Sequence, residues 1–403
     1  MSTNRATVAT MAVATGAVIA NLYYAQPLEE TLGRQFGVST GAVGIVLTLI
    51  QVGYAVGLAT LVPLGDLLER RRLLAVMLAG GVAGLAGMAL APSYAAFGAA
   101  AVLVGLTSVA AQIIVPFAAH IAGEGRQGRV VGTVMSGLLL GILLSRTVAG
   151  LVASALGWRA VFGLGAVVTA VVGVLLWVSL PKLAPTARMR YPALLGSVLS
   201  IVREEPALRL RIVYGALCFA SFSVFWASAG FLLARAPYDW NDAQIGAFAL
   251  LGAAGALVAK VAGRLADRGL ARYATGAFLV AMAGSYALLG LGAHDVVALG
   301  AGVAVMDLGC QGVHISNQSL IYPLRPEARS RINTAYMTVY FVAGAVGTAL
   351  STVLYASYGW TGVSALGAAL PAAATAVWLV EIGRRGAPAK AAPAADRRVP
   401  SRT

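Results

Sequence analysis

Charge is scarce in this chain. Only 11% of its 403 residues are Asp, Glu, Lys or Arg, where a soluble domain carries roughly 25%. Hydrophobic residues make up 59%. A soluble protein of this size could not hide so much apolar surface, so much of it must face lipid. Cysteine is scarcer still. Cys218 and Cys310 both sit in apolar runs, which excludes a disulfide framework or a thiolate metal site and leaves them as small buried hydrophobes. The three histidines are widely spaced, so no metal cluster or nucleophilic triad is expected. A Walker-type phosphate loop is missing too, which argues against ATP-driven pumping by this chain. Neither an enzyme nor a metal or cofactor site is expected.

Acidic residues are also few, 15 against 29 Lys and Arg, for a net charge of +14. The placement of the basic residues argues against nucleic acid. Arg34, Arg159 and Arg235 fall in alternate loops, and Arg146 and Lys260 lie inside apolar runs. The rest occupy the N-terminus, the even-numbered loops, a central linker and the tail. That asymmetry is the positive-inside signature, with both termini cytoplasmic.

What the chain has in abundance is long apolar runs. Twelve of them, each able to span a bilayer as a helix, fit at roughly 7–26, 40–64, 73–91, 94–121, 130–154 and 160–180, then 208–233, 242–265, 273–292, 295–323, 332–356 and 361–382. The first run leads without a cleavage site into Asn21–Pro27 and reads as a span rather than a signal peptide. Glycine is plentiful, 48 residues, as close helix packing in lipid favours; Gly80, Gly81, Gly84 and Gly87 form one small-residue face. Residues 181–207 hold four prolines and several arginines and read as a cytoplasmic linker. Residues 383–403 read as a disordered basic tail.

The halves echo one another. Arg129, Met135, Gly157 and Trp158 recur as Arg331, Met337, Gly359 and Trp360, each 202 positions later, and Asp66 recurs as Asp267 after 201. This period is far longer than a solenoid repeat. Two parallel six-helix halves, 1–180 and 208–382, point to a membrane transporter with its path between them.

The loop after span 2 reads Val62-Pro-Leu-Gly-Asp66-Leu-Leu-Glu69-Arg70-Arg71-Arg72, and that after span 8 reads Gly263-Arg-Leu-Ala-Asp267-Arg268-Gly-Leu-Ala-Arg272. These resemble the Gly-x-x-x-Asp-Arg-x-Gly-Arg-Arg signature of the major facilitator superfamily. The first copy departs from it at Val62, Leu67 and Glu69. With the repeat and twelve spans, the resemblance covers nearly the whole chain. It implies an all-α polytopic membrane fold of two pseudo-symmetric six-helix halves, functional as a monomer in a bacterial inner membrane. It also implies a latch closing the cytoplasmic side, with Asp66 near Arg331 at the start of span 11 and Asp267 near Arg129 at the start of span 5. Arg70, Arg71 and Arg268 belong to the same motif and also serve topology.

Asn21-Leu-Tyr23-Tyr24-Ala-Gln26-Pro27 resembles a bacterial subgroup of drug–proton-antiporter-like permeases that includes nucleoside and sugar efflux proteins. Asn21 and Tyr24 share a helix face, which suits either a cavity or helix packing. Span 5 departs from the antiporter pattern Gly-x8-Gly-x3-Gly-Pro: Gly132 and Gly141 are followed by Ser145-Arg146. The arginine usual in span 4 of that family is missing as well.

Span 10 carries Asp307, Gln311, His314 and Gln318 along one helical stripe, with Asn317 beside it. Polar groups avoid lipid, so the stripe faces a cavity or a partner helix. Asp307 and Arg146 lie at matching depths in opposite halves and are read as the only deep opposite charges. They form either a proton-coupling pair, direct or through water, or a permanent structural ion pair. His314 is a second candidate proton carrier or a hydrogen-bonded packing residue. Further cavity candidates are Gln51, Tyr54, Gln112, Ser223, Trp226, Tyr336 and Tyr340, a set of rings and amides suited to a ring-bearing or hydroxylated solute. The expected function is proton-coupled efflux of a small organic solute. Uptake by symport is the alternative. A non-transporting sensor on the same fold would be expected to carry an added soluble domain.

Overall fold

A computed structural model describes residues 5–122, 127–182, 190–325 and 328–386. Among them all regular structure is helical. The first half contains α1 (Arg5–Ala20), α2 (Glu29–Phe36), α3 (Thr40–Leu67), α4 (Arg70–Ala89), α5 (Tyr94–Ser108), α6 (Ala110–Ile121), α7 (Gln127–Leu156) and α8 (Trp158–Ser179). The linker holds a helix of its own, α9 (Tyr191–Glu204). The second half contains α10 (Pro206–Trp226), α11 (Ala229–Leu233), α12 (Asp242–Phe248), α13 (Ala254–Asp267), α14 (Ala271–Leu291), α15 (Val296–Ile321) and α16 (Arg329–Gly386).

Nine helical stretches of the described chain are long and apolar enough to cross a membrane. The twelve-span reading differs from that count for local reasons. The first span breaks at Asn21–Leu28, where the backbone turns through i→i−3 bonds and Pro27 opens a short 3₁₀ turn. The eighth divides into α12 and α13 across a 3₁₀ segment, Ala249–Ala253. The last two are joined in α16 across Gly359, whose φ of 60° and ψ of −152° reverse the chain. Its repeat mate Gly157 sits at φ 85° between α7 and α8. Positive φ explains why glycine recurs at both places. The Trp that follows each is buried, and Trp360 donates from Nε1 to Leu289 O at 2.7 Å.

Caps start the helices. Ser39, Ser93 and Asp295 each accept backbone N–H bonds of the helix that follows, and Asn241 forms a capping box with Gln244. Glu69 accepts from the N–H groups of Arg71 and Arg72 as the N-cap of α4, which gives a physical role to that departure from the signature.

Glycines set the packing. A Cβ on Gly137 or Gly141 of α7 would lie 2.1–2.2 Å from the carbonyl of Ala12 or Gly16 on α1. Gly80, Gly84 and Gly87 lie against α5. The repeat is visible in the contacts: Gly53 of α3 abuts Gly105 of α5, and its counterpart Gly255 of α13 abuts Asp307 of α15. Large apolar side chains such as Val76, Val167, Val178 and Val353 point outward, as a lipid-facing surface requires.

Both ends of the described chain and α9 lie on one side, called here the linker side. The halves meet towards the other, far side. There α3 packs on α16 and α7 on α12. Gly44 lies against Thr352, and Gly150 against Gly246 and the carbonyl of Asp242; these pairs are repeat-related. Thr147 donates to Gly246 O at 2.8 Å, and Thr31 to Asp242 Oδ2 at 2.8 Å. Arg235 pairs with Glu30 at 3.4 Å. On the linker side α9 touches α3 and α16, Tyr191 donates to Thr60 O at 2.9 Å, and Arg325 pairs with Glu204 and Glu205.

Candidate functional site

The break between α1 and α2 turns Tyr23 and Gln26 toward the centre, and the corresponding break between α10 and α11 leaves Trp226 at the end of its helix. A cavity between the halves is lined by Leu22, Tyr23, Gln26, Gln51, Tyr54 and, from the second half, Phe219, Phe222, Ser223, Trp226 and Phe341. Gln112 donates to Tyr54 Oη at 3.1 Å, and the Tyr54 ring lies 4.3 Å from that of Phe341. Phe219 stacks on Tyr340 at 4.0 Å. The lining is thus aromatic with two amides.

Arg146 lies beside this cavity, 4% exposed. Its Nε donates to Gln26 Oε1 at 2.6 Å. Its guanidinium sits 4.7 Å from the ring of Tyr23 and 4.3 Å from that of Trp226. These contacts hold the cation by ring quadrupoles as well as by a hydrogen bond. Asp307 is 5% exposed, with Oδ2 against Gly252 of the α12–α13 connection. The indole N–H of Trp226 is directed at this carboxylate but falls short of hydrogen-bond geometry. Arg146 Nη2, Trp226 Nε1 and Asp307 Oδ2 are all buried without partners. Arg146 and Asp307 are therefore not in direct contact: among the described residues no ion pair within 4.0 Å joins them, and Trp226 stands between.

Other candidates take different places. Asn21 donates to Thr169 Oγ1 at 3.3 Å, and Tyr24 packs on Gly165; both face α8, inside the first half, rather than the cavity. Their neighbours Tyr23 and Gln26 take the cavity positions, because the i→i−3 turns after Ala20 rotate the chain. Gln311 lies against Gly255. His314 approaches Tyr336 Oη with Nδ1 at 3.4 Å and lies beside Tyr340. Asn317 donates to Tyr336 Oη at 3.3 Å and to Arg211 O at 3.2 Å, so Tyr336 and Asn317 tie α15 and α16 to α10. Gln318, half-buried, is one turn further toward the linker side.

Two buried acids escaped the sequence reading. Glu29 is fully buried, and Glu381 pairs with Arg211 and accepts from Tyr214. Arg146 and Asp307 are therefore not the only deep opposite charges. Glu29 falls just past the first apolar run and Glu381 at the end of the last, where each reads equally well as a helix-end residue.

Among the described residues the expected latch pairs do not form. Asp66 pairs with Arg70 at 3.1 Å, while Arg71 donates to Leu180 O and lies 4.2 Å over Trp177. Among the described residues no ion pair links Asp66 to Arg331 or Asp267 to Arg129, and Asp267 and Arg268 are exposed. The Lys260 side chain and the tail beyond 386 lie outside the described residues. No group of metal-ligating side chains occurs among the described residues.

The helical bundle and its central cavity define a polytopic membrane transporter fold. Residues 8–348 match the family model of the Major Facilitator Superfamily, and the chain belongs to that superfamily. It is 45% identical to the uncharacterized transporter YgaY of Escherichia coli O157:H7, over 91% of this chain and 93% of that protein. It is 33% identical to the probable transporter SCO4007 of Streptomyces coelicolor, over 89% and 84%. Its fold is similar to that of the nucleoside transporter NupG, with a TM-score of 0.75 at 13% identity, covering 93% of this chain and 99% of that one. The chain is a transporter and not an enzyme.

Proposed function

We propose that this transporter exports a small organic solute across the bacterial inner membrane in exchange for protons, by rocking of two six-helix halves, as a monomer with both termini cytoplasmic. The orientation rests on charge: Arg70, Arg71, Arg72, Arg264, Arg268, Arg272, Arg325 and Arg331 lie toward the linker side. Export rests on the subgroup resemblance of the first span. The solute is ring-bearing or hydroxylated, because the cavity offers aromatic faces with Gln26 and Gln51 as hydrogen-bonding groups.

Coupling is carried by one observation. Arg146 of the first half and Asp307 of the second flank Trp226, buried and with unpartnered polar atoms. Protonation of Asp307 would change the charge balance across the interface that must rearrange when the halves rock. His314, beside Tyr336 and Tyr340, is the second proton-carrying candidate.

The experiment is transport in everted vesicles with an imposed pH gradient, screened over nucleosides, sugars, amino acids and drugs. Asp307→Asn should retain solute binding and lose gradient-driven flux. Undiminished gradient-driven flux in that variant would overturn the coupling assignment.

A further inference from the structure

Glu29 opens α2 on the far side, where the two halves close on each other. Its side chain is 0% exposed, and neither carboxylate oxygen has a hydrogen-bond partner. One oxygen lies against Gly230 of α11, and the N–H of Phe231 faces the carboxylate without completing a bond. Phe231 is the repeat counterpart of Glu29, 202 residues on. The pseudo-twofold axis thus brings one residue of a pair against the other, and only the first-half copy can ionise. The chain breaks symmetry here as it does at Arg146 and Asp307.

The charged and titratable groups around Glu29 can be named element by element. Arg146 of α7 is the cation nearest in influence, already engaged by Gln26, Tyr23 and Trp226. Glu30, the next residue, pairs with Arg235, which follows α11. Tyr355 of α16 lies near this pair. Asp242 of α12 is held by Thr31. None of these satisfies the Glu29 oxygens. Burying an ionised carboxylate with no completed hydrogen bond is strongly unfavourable, whereas the neutral acid carries no charge to desolvate. Opening the far side would return the group to water, where ionisation is free of that penalty. The cluster also balances in charge: Arg146 is one cation facing two acids, Glu29 and Asp307, and a proton on one of them leaves it neutral.

We infer that Glu29 is the proton-binding residue of the far-side gate: the gate closes over the neutral acid, and ionisation of Glu29 favours opening. The proton is taken up from far-side water onto a carboxylate oxygen before closure, and is returned to that water when the seat opens. This goes beyond the Asp307 assignment and rests on the same transport reading, to which it adds a second acid sharing Arg146.

The test is the distance across the far side, measured by double electron–electron resonance in nanodiscs. Spin labels are placed at Gln35→Cys and His294→Cys, exposed positions in opposite halves, with Cys218 and Cys310 replaced by Ala. With Glu29 intact, the closed population should predominate at acidic pH and fall at least about tenfold as the pH becomes alkaline. Glu29→Gln should stay closed throughout. Glu29→Asp should keep a transition at a displaced midpoint, which decides the matter if the Gln variant does not fold. Asp242→Asn should leave the main transition in place. A pH-independent distance with Glu29 intact, or a Glu29→Gln protein that titrates like it, would overturn the inference. The measurement needs no solute, so it is separable from the transport assay. Flux that ignores the pH gradient, beside a gate that titrates through Glu29, would remove the exporter reading and leave this one standing.

Discussion

Gln51 of α3 donates from Nε2 to Thr348 Oγ1 of α16 at 2.6 Å, across the interface between the halves. Thr348 is the repeat counterpart of Arg146. One position therefore serves the same interface twice: as a hydroxyl that ties α3 to α16, and as a guanidinium beside α10. Gly344, one turn away on α16, leaves room for the Gln51 amide: a Cβ there would lie 2.7 Å from Oε1.

Removing either partner should loosen far-side closure. Gln51→Ala and Thr348→Val are each expected to shift the closed-to-open ratio by roughly fivefold, the equivalent of about 1 kcal/mol for one hydrogen bond. The double variant should cost little more than either single, since the second change removes a bond already lost. Reaction of a far-side cysteine with an impermeant thiol reagent measures this.

Arg146→Lys keeps the charge but not the planar fork. It loses the Nε bond to Gln26 and the stacking on Tyr23 and Trp226. We expect gradient-driven flux to fall by about tenfold or more while the protein still folds, because an ammonium is a compact, more strongly hydrated charge. Trp226→Phe, which retains a ring face, should lose less. Vesicle flux normalised to membrane content checks both.

Asp242 should make a smaller, separate contribution to closure. Its carboxylate accepts from the Thr31 hydroxyl of α2 at 2.8 Å, across the two halves. With Glu29 intact, Thr31→Val should shift the closed-to-open ratio by roughly fivefold, the equivalent of about 1 kcal/mol for one hydrogen bond. Asp242→Asn keeps an acceptor oxygen and should shift it less. The Gln35–His294 distance measures both.

The Arg211–Glu381 pair is a structural lock within the second half. Both residues are buried, Tyr214 adds a 2.9 Å bond, and Asn317 reaches the Arg211 carbonyl. Glu381→Ala should lower stability by about 3–5 kcal/mol, because it strands a buried cation. Replacing both residues by Met and Leu should recover most of the loss. Thermal unfolding in detergent by intrinsic fluorescence distinguishes the two.

Much of this was legible in the chain. Apolar runs of bilayer length compel helices, since lipid satisfies no backbone N–H or C=O group. The echo of Gly157-Trp158 in Gly359-Trp360 reported a real constraint, a positive φ that glycine tolerates. The depth of Arg146 and Asp307 was readable by counting, and both are buried at the centre. Rotation about the first helix was not readable. Asn21 and Tyr24 share a helix face with spacing that suits a cavity, yet the i→i−3 turns after Ala20 hand the cavity to Tyr23 and Gln26. Nor could sequence show that Trp226 separates the two charges, or that Glu29, at the start of α2, lies against Gly230 and Phe231 of α11.

Local chemistry and the solvent determine that the long apolar runs become helices, because that depends on residues close in the chain and on the cost of exposing polar backbone to lipid. Partners across the interface depend on where two helices from distant parts of the chain happen to be level and facing. Those contacts, Gln51 with Thr348, Gly150 with Gly246, Arg146 with Trp226, are set by packing geometry, and only the folded chain displays them.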